Sequence, residues 1–176
     1  MALKDIITMP EKNEYLPFYQ SYFDAIGNNN PAGMLAAQSD ELVKMLAGLD
    51  DSKANASYAP GKWSVKELLG HITDTERIFA YRALSVARGE TKSLPGFNQD
   101  EYVKKGKFNQ RTLKSLLDEF LTLRKANEVL FESFTRDDLE KTGIANDGVI
   151  SVRALIYIVA GHTMHHISVL KDKYGL

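Results

Sequence analysis

Four stretches of this chain space their apolar residues as an α-helix does, and no segment sustains the two-residue alternation of a half-buried strand. Asn28-Asn29-Asn30-Pro31 breaks the chain and opens the first stretch, over 31–48, which presents Leu35, Leu42, Met45, Leu46 and, just past its end, Leu49. Trp63-Ser64-Val65-Lys66-Glu67 opens the second, over 64–88. Ser64 and Glu67 have the spacing of a capping box, Trp63 is placed to pack back on Leu68, and Gly89 ends the run. The third covers 110–134 with Asn109 as its cap and Leu113, Leu116, Leu117, Phe120, Leu123, Val129, Leu130 and Phe131 along it. Asn146-Asp147-Gly148 marks a turn before the fourth, over 151–174, capped by Ser151 and stopped at Gly175. Tyr15, Phe18, Tyr19, Tyr22 and Phe23 add a short aromatic helix at the N-terminus. The pattern predicts an all-α four-helix bundle with an additional short N-terminal helix and a long, turn-rich crossover, Leu94 to Asp100, between its second and third helices.

Composition narrows the function classes. The chain has 176 residues, enough for one domain with its own core; residues 1–30 are expected to be an extension packed on the bundle. With 22 basic and 23 acidic residues it has no global field for nucleic acid or an anionic membrane. It has no cysteine, which excludes disulfides, thiolate ligands and a cysteine nucleophile. No apolar run approaches the ~18 residues that span a bilayer, and Met1 to Pro10 lacks a signal-peptide core, so a cytoplasmic protein is expected.

The four histidines carry the chemistry. His162, His165 and His166 crowd one turn of the fourth helix, and His71 lies on the second. At about 100° per residue, His166 falls about 40° from His162, in the middle of an arc shared with Leu155, Ile158 and Val169. His165 falls at the edge of that arc, as a neighbour of the site or a surface residue. His71 shares its arc with Leu68, Ile78 and Phe79. A single histidine on an apolar face is usually a core side chain hydrogen-bonded to a neighbour. Three of them would each need a separate partner, whereas one metal ion satisfies all three lone pairs. Three imidazoles with an open position is the arrangement of a catalytic metal. The expected ligands are His71, His162 and His166, and the expected cofactor is one divalent ion, zinc or nickel ahead of iron or manganese.

Other polar residues fall near these arcs. Asp74 is placed to orient His71 or to stand as a rim charge. Glu67 is a turn before His71, but its capping role accounts for it. Arg82 shares the face of His71 three turns on; with Tyr81 it could contact an anionic substrate, and an ion pair with a bundle carboxylate explains it equally well.

The chain resembles the DinB/YfiT-like superfamily, which includes bacillithiol transferases. The likeness rests on Ala59-Pro60-Gly61-Lys62-Trp63-Ser64 through Glu67 and His71 to Arg77, on Leu94-Pro95-Gly96-Phe97-Asn98-Gln99-Asp100, and on Ser151-Val152-Arg153-Ala154-Leu155 leading into Gly161-His162-Thr163-Met164-His165-His166. It extends from about Pro31 to Tyr174. The resemblance implies an up-down-down-up bundle with a metal held by one histidine of the second helix and an H-x3-H pair of the fourth, here His71, His162 and His166. It implies no DNA binding. Some members resemble thiol-dependent transferases, others are labelled metal-dependent hydrolases and many have no known reaction; the expected activity is thiol-dependent S-transfer on a small molecule, a low-molecular-weight thiol being the cosubstrate. The alternatives are a metal-dependent hydrolase and a non-catalytic module that binds metal or a small ligand. The lack of an evident general base favours a thiolate nucleophile. A homodimer is expected from dimeric members and from exposed N-terminal aromatics.

Overall fold

The computed structural model describes residues 2–176. Its main elements are helices α1 (Gln20–Ile26), α2 (Pro31–Leu46), α3 (Val65–Ala87), α4 (Gln99–Gly106), α5 (Leu113–Glu132) and α6 (Val152–Tyr174), with a hairpin of β1 (Thr142–Ala145) and β2 (Gly148–Ser151). Local chemistry sets most of the ends. Asn30 accepts from Ala32 N ahead of Pro31, and Ser151 accepts from Ala154 N. Ser64 and Glu67 close the capping box in both directions, at 3.1 and 2.8 Å. Each such cap stabilises its helix by about 1 kcal/mol. Gly89 and Gly175, both at positive φ, end α3 and α6 where a side chain would be strained.

Pairwise contacts fix the topology of the bundle. Ser64 meets Asn109 and Glu76 meets Arg124, so α3 and α5 run parallel. Trp63 O meets Tyr174 and His71 meets His162, so α3 and α6 run antiparallel. Gln38 meets Ala160 O and Glu41 meets Lys171, which makes α2 and α6 parallel. The order is therefore up, down, down, up, and the parallel pair α3–α5 requires the long crossover that carries α4. No helix among the described residues is long and apolar enough to cross a membrane.

Two apolar clusters form the core. One gathers Phe79, Ala83, Phe131 and the first half of α6 with the N-terminal aromatics. The other gathers Leu42, Leu46, Leu68, Ile72, Phe120, Ile167 and Leu170. Between them lies a belt of buried polar residues: Gln38, His71, Glu76, Arg124, Asn127, His162, Thr163 and His166.

Three sequence expectations change. The third helix starts at Leu113 with Thr112 as its cap, because left-handed Lys107 turns the chain and Phe108–Gln110 forms a separate 3-10 turn. Phe108 is buried there against Gly70 and Gly106, where a Cβ would come within 2.4 and 2.5 Å of its ring. Asn109 instead accepts a hydrogen bond from the Ser64 hydroxyl. The Asn146–Asp147 turn, both residues at positive φ, joins two short strands that periodicity did not reveal. Finally, Tyr15, Tyr19 and Phe23 are buried, which leaves Phe18, 77% exposed, as the bare aromatic of a segment expected to present several.

Candidate metal centre

His71 on α3 and His162 and His166 on α6 point into the polar belt and are all buried. The Nε2 atoms of His71 and His162 lie 3.0 Å apart, and those of His166 and His162 3.1 Å apart. One ligand atom from each residue falls within 4.8 Å of the others. Bonds of 2.0–2.1 Å at tetrahedral angles place ligand nitrogens roughly 3.3 Å apart, close to this spacing. Neutral imidazoles do not satisfy one another here. His162 Nε2 offers either one N–H or one lone pair, yet it faces two neighbours at once. A cation among the three would take up every lone pair.

Electrostatics prepares the same outcome. Burial, followed by the nearby His165, holds His71 down at about 4. Burial and then His71 hold His166 at about 2. Burial and then His166 push His162 well below its usual value. All three rings are thus neutral at pH 7 with lone pairs free, the protonation state a metal requires. Among the described residues no carboxylate joins the cluster.

The surroundings divide sharply. His165 is exposed and meets Tyr22 at a tilt and His166 edge-on, at ring-centroid distances of 6.0 and 4.9 Å, outside the converging nitrogens. Asp74 does not orient His71: its carboxylate faces Arg77 at 3.6 Å, and the hydroxyl of Thr75 lies against His71 Nδ1 at 3.4 Å. The i, i+3 pairing with Arg77 turns Asp74 along the helix surface instead. His166 Nδ1 has no hydrogen-bond partner, so no acceptor stands behind that ring. Glu67 is held by its cap, and Tyr81 is 58% exposed. Trp63 packs on His71 at 4.7 Å.

Two cavities meet the trio. One of about 270 Å³ reaches His71 and His162, with Tyr22, Phe79, Arg82, Phe97, Gln99 and Asn146 in its walls. The other, about 250 Å³, reaches His166 between Tyr58, Lys62, Trp63 and Tyr174. The crossover and the hairpin build one wall of the first cavity: Leu94 N–H donates to Ile144 O at 2.8 Å and Asn146 N–H to Leu94 O at 3.0 Å. The N-terminal helix builds another. A Cβ on Gly161 would come within 2.6 Å of Tyr22 Cβ, so only glycine lets α1 press this close, and Tyr22 then meets His162 edge-on at 5.7 Å.

Sequence reasoning missed the group beside the trio. Arg124 and Glu76 form a buried ion pair, with Nε and Nη2 within 2.7–3.0 Å of the carboxylate. Arg124 also donates to Leu35 O and Thr163 Oγ1, and Asn127 donates to Glu76, so all four helices are tied at the level of the histidines. A signal existed, since Arg124 falls within about 40° of Phe120 and Phe131 on the apolar arc of its helix.

The sequence model of the DinB superfamily matches residues 34–170. The chain belongs to this superfamily. It is 21% identical to an Oceanobacillus iheyensis protein named "putative metal-dependent hydrolase", across 97% of this chain and 90% of that one. Its fold is similar to that of YfiT from Bacillus subtilis, described as a probable metal-dependent hydrolase with an unusual four-helix bundle topology. The TM-score is 0.73 at 14% identity, covering 96% of this chain and 94% of the other. The mycothiol-dependent maleylpyruvate isomerase is also similar, with a TM-score of 0.66 at 11% identity; the match covers 84% of this chain and 62% of that chain.

Proposed function

We propose that this protein is a metal-dependent enzyme in which His71, His162 and His166 hold one divalent ion, zinc or nickel ahead of iron or manganese. The observation that carries the reading is the convergence of three buried, neutral imidazoles that cannot satisfy one another. Bound there, such an ion would lower the pKa of a water or thiol that reaches it. The protein's own groups keep the rings neutral and, through Trp63, Phe79 and Tyr22, exclude bulk water from their faces. The N-terminal segment belongs to the same functional unit, because Tyr22 walls the site.

The reaction we favour is S-transfer from a low-molecular-weight thiol to a small electrophile. Two cavities meeting at one histidine trio suit two substrates. Of the neighbouring carboxylates, Glu76 is committed to Arg124, Glu67 to its cap and Asp74 to Arg77, which leaves exposed Asp100, on the wall of the second cavity, as the base that hydrolysis would have to use. A thiol, ionising near neutral pH, needs less help. The name of the mycothiol-dependent relative supports this reading, and the names of the other two relatives support hydrolysis, which is the second reading. The test is conjugation of an electrophile panel with and without added thiols, run alongside ester and amide hydrolysis, on protein of measured metal content. Metal-dependent turnover that requires thiol is expected. Hydrolysis at equal rate without thiol would replace transfer by the second reading, and no turnover at all would leave a binding module.

A further inference from the structure

Three buried cations occur among the described residues, and two have carboxylate partners: Lys66 with Asp51 at 3.0 Å and Arg124 with Glu76 at 2.7 Å. The third is Arg82, 2% exposed, which forms no salt bridge. Its Nη2 donates to Pro95 O at 2.6 Å and its guanidinium carbon lies 5.5 Å from the Phe79 ring. The Tyr19 hydroxyl also lies against the guanidinium, which with five N–H donors still has donors to spare. A buried charge without a counter-ion is costly, and such charges are normally paired. Arg82 lines the same cavity as His71 and His162, and no acidic residue lines that cavity.

The geometry points to Arg82 as the anchor for a carboxylate on the substrate. The proposal rests on the three histidines being the reacting end of the cavity. The Phe79 ring bridges the two ends, being 5.5 Å from the guanidinium carbon and 6.4 Å from the His162 ring. Arg82 lies about 16 Å of helix rise beyond His71; both side chains lean back toward the N-terminus, and the longer arginine reaches further back, which shortens that gap. The occupant is therefore a compact molecule with a carboxylate at one end, a flat or apolar body beside Phe79 and Phe97, and its reactive atom near His162. One planar fork matches a carboxylate in a bidentate pair. A phosphate dianion would call for more positive charge than a single arginine supplies.

Calorimetry with benzoate, 3-phenylpropionate and 5-phenylpentanoate, each beside its primary amide, tests this on the full chain with and without metal. At least one carboxylate should bind more tightly than its amide. Arg82→Met should weaken that carboxylate on the order of 10- to 100-fold and leave the amide unchanged. If Arg82→Met does not fold, Arg82→Lys decides: it keeps the charge without the fork and should weaken the carboxylate alone. Preference for the carboxylate through Arg82 in a protein that takes up no metal would support the anchor while sinking the metal reading. Equal binding of acids and amides, or carboxylate binding untouched by either variant, overturns the proposal.

Discussion

At the residue scale the candidate site is three buried imidazoles that meet nitrogen to nitrogen. Helical arcs alone place these three toward the core, whereas the residues around them needed the structure. Asp74 and Arg82 both fall near the arc of His71, and only the structure turns Asp74 toward Arg77 and leaves Arg82 without a carboxylate. Sequence spacing gives a direction on one helix but not the partner on another. The depressed histidine values carry a testable consequence for protein stripped of metal. The folded state keeps His71 neutral down to about 4 and His166 down to about 2, while the unfolded chain protonates both near 6.5. The unfolded state thus binds more protons between these limits, so stability is full above pH 6.5 and falls as pH drops toward 4. Urea denaturation of the chelated protein should lose on the order of a few kcal/mol over that range. The His71→Ala/His166→Ala variant should lose clearly less over the same range. Identical slopes would mean that these rings are not held neutral.

At the element scale the four helices were readable from their caps and apolar spacing, whereas the hairpin was not. Each of its strands has four residues, too few for alternation to register, and its turn residues alone stood out. Phe108 shows a related limit. Its burial between Gly70 and Gly106 joins residues far apart in sequence, and that contact moved the expected start of α5. Gly161 is the element-level hinge of the site. Alanine there would place Cβ 2.6 Å from Tyr22 Cβ and 2.8 Å from its carbonyl oxygen, backbone that cannot swing aside. Gly161→Ala should cost about 1–3 kcal/mol and weaken metal binding by displacing Tyr22 from His162. Gly33→Ala meets nothing within 4 Å on a helix and should instead gain about 0.5–1 kcal/mol. Thermal melts of the two variants separate these outcomes, and equal effects would refute the role given to Gly161.

At the scale of the whole molecule, a polar belt between two apolar clusters organises both fold and site. The Arg124–Glu76 pair holds the four helices in register at the level of the histidines, and Arg124, 1% exposed, has no route to solvent. Arg124→Met alone should cost about 3–5 kcal/mol, because Glu76 is left charged and buried. Pairing it with Glu76→Leu should restore much of that loss, as measured by denaturant unfolding. Additive losses would mean the two residues act independently. Metal content per chain shows whether the three converging imidazoles hold one ion. Elemental analysis after purification, or after reloading with zinc or nickel, should find one equivalent in the wild-type chain and in His165→Ala, and little in His162→Ala or His166→Ala. A full equivalent retained by His162→Ala and His166→Ala would mean that these imidazoles do not hold the ion.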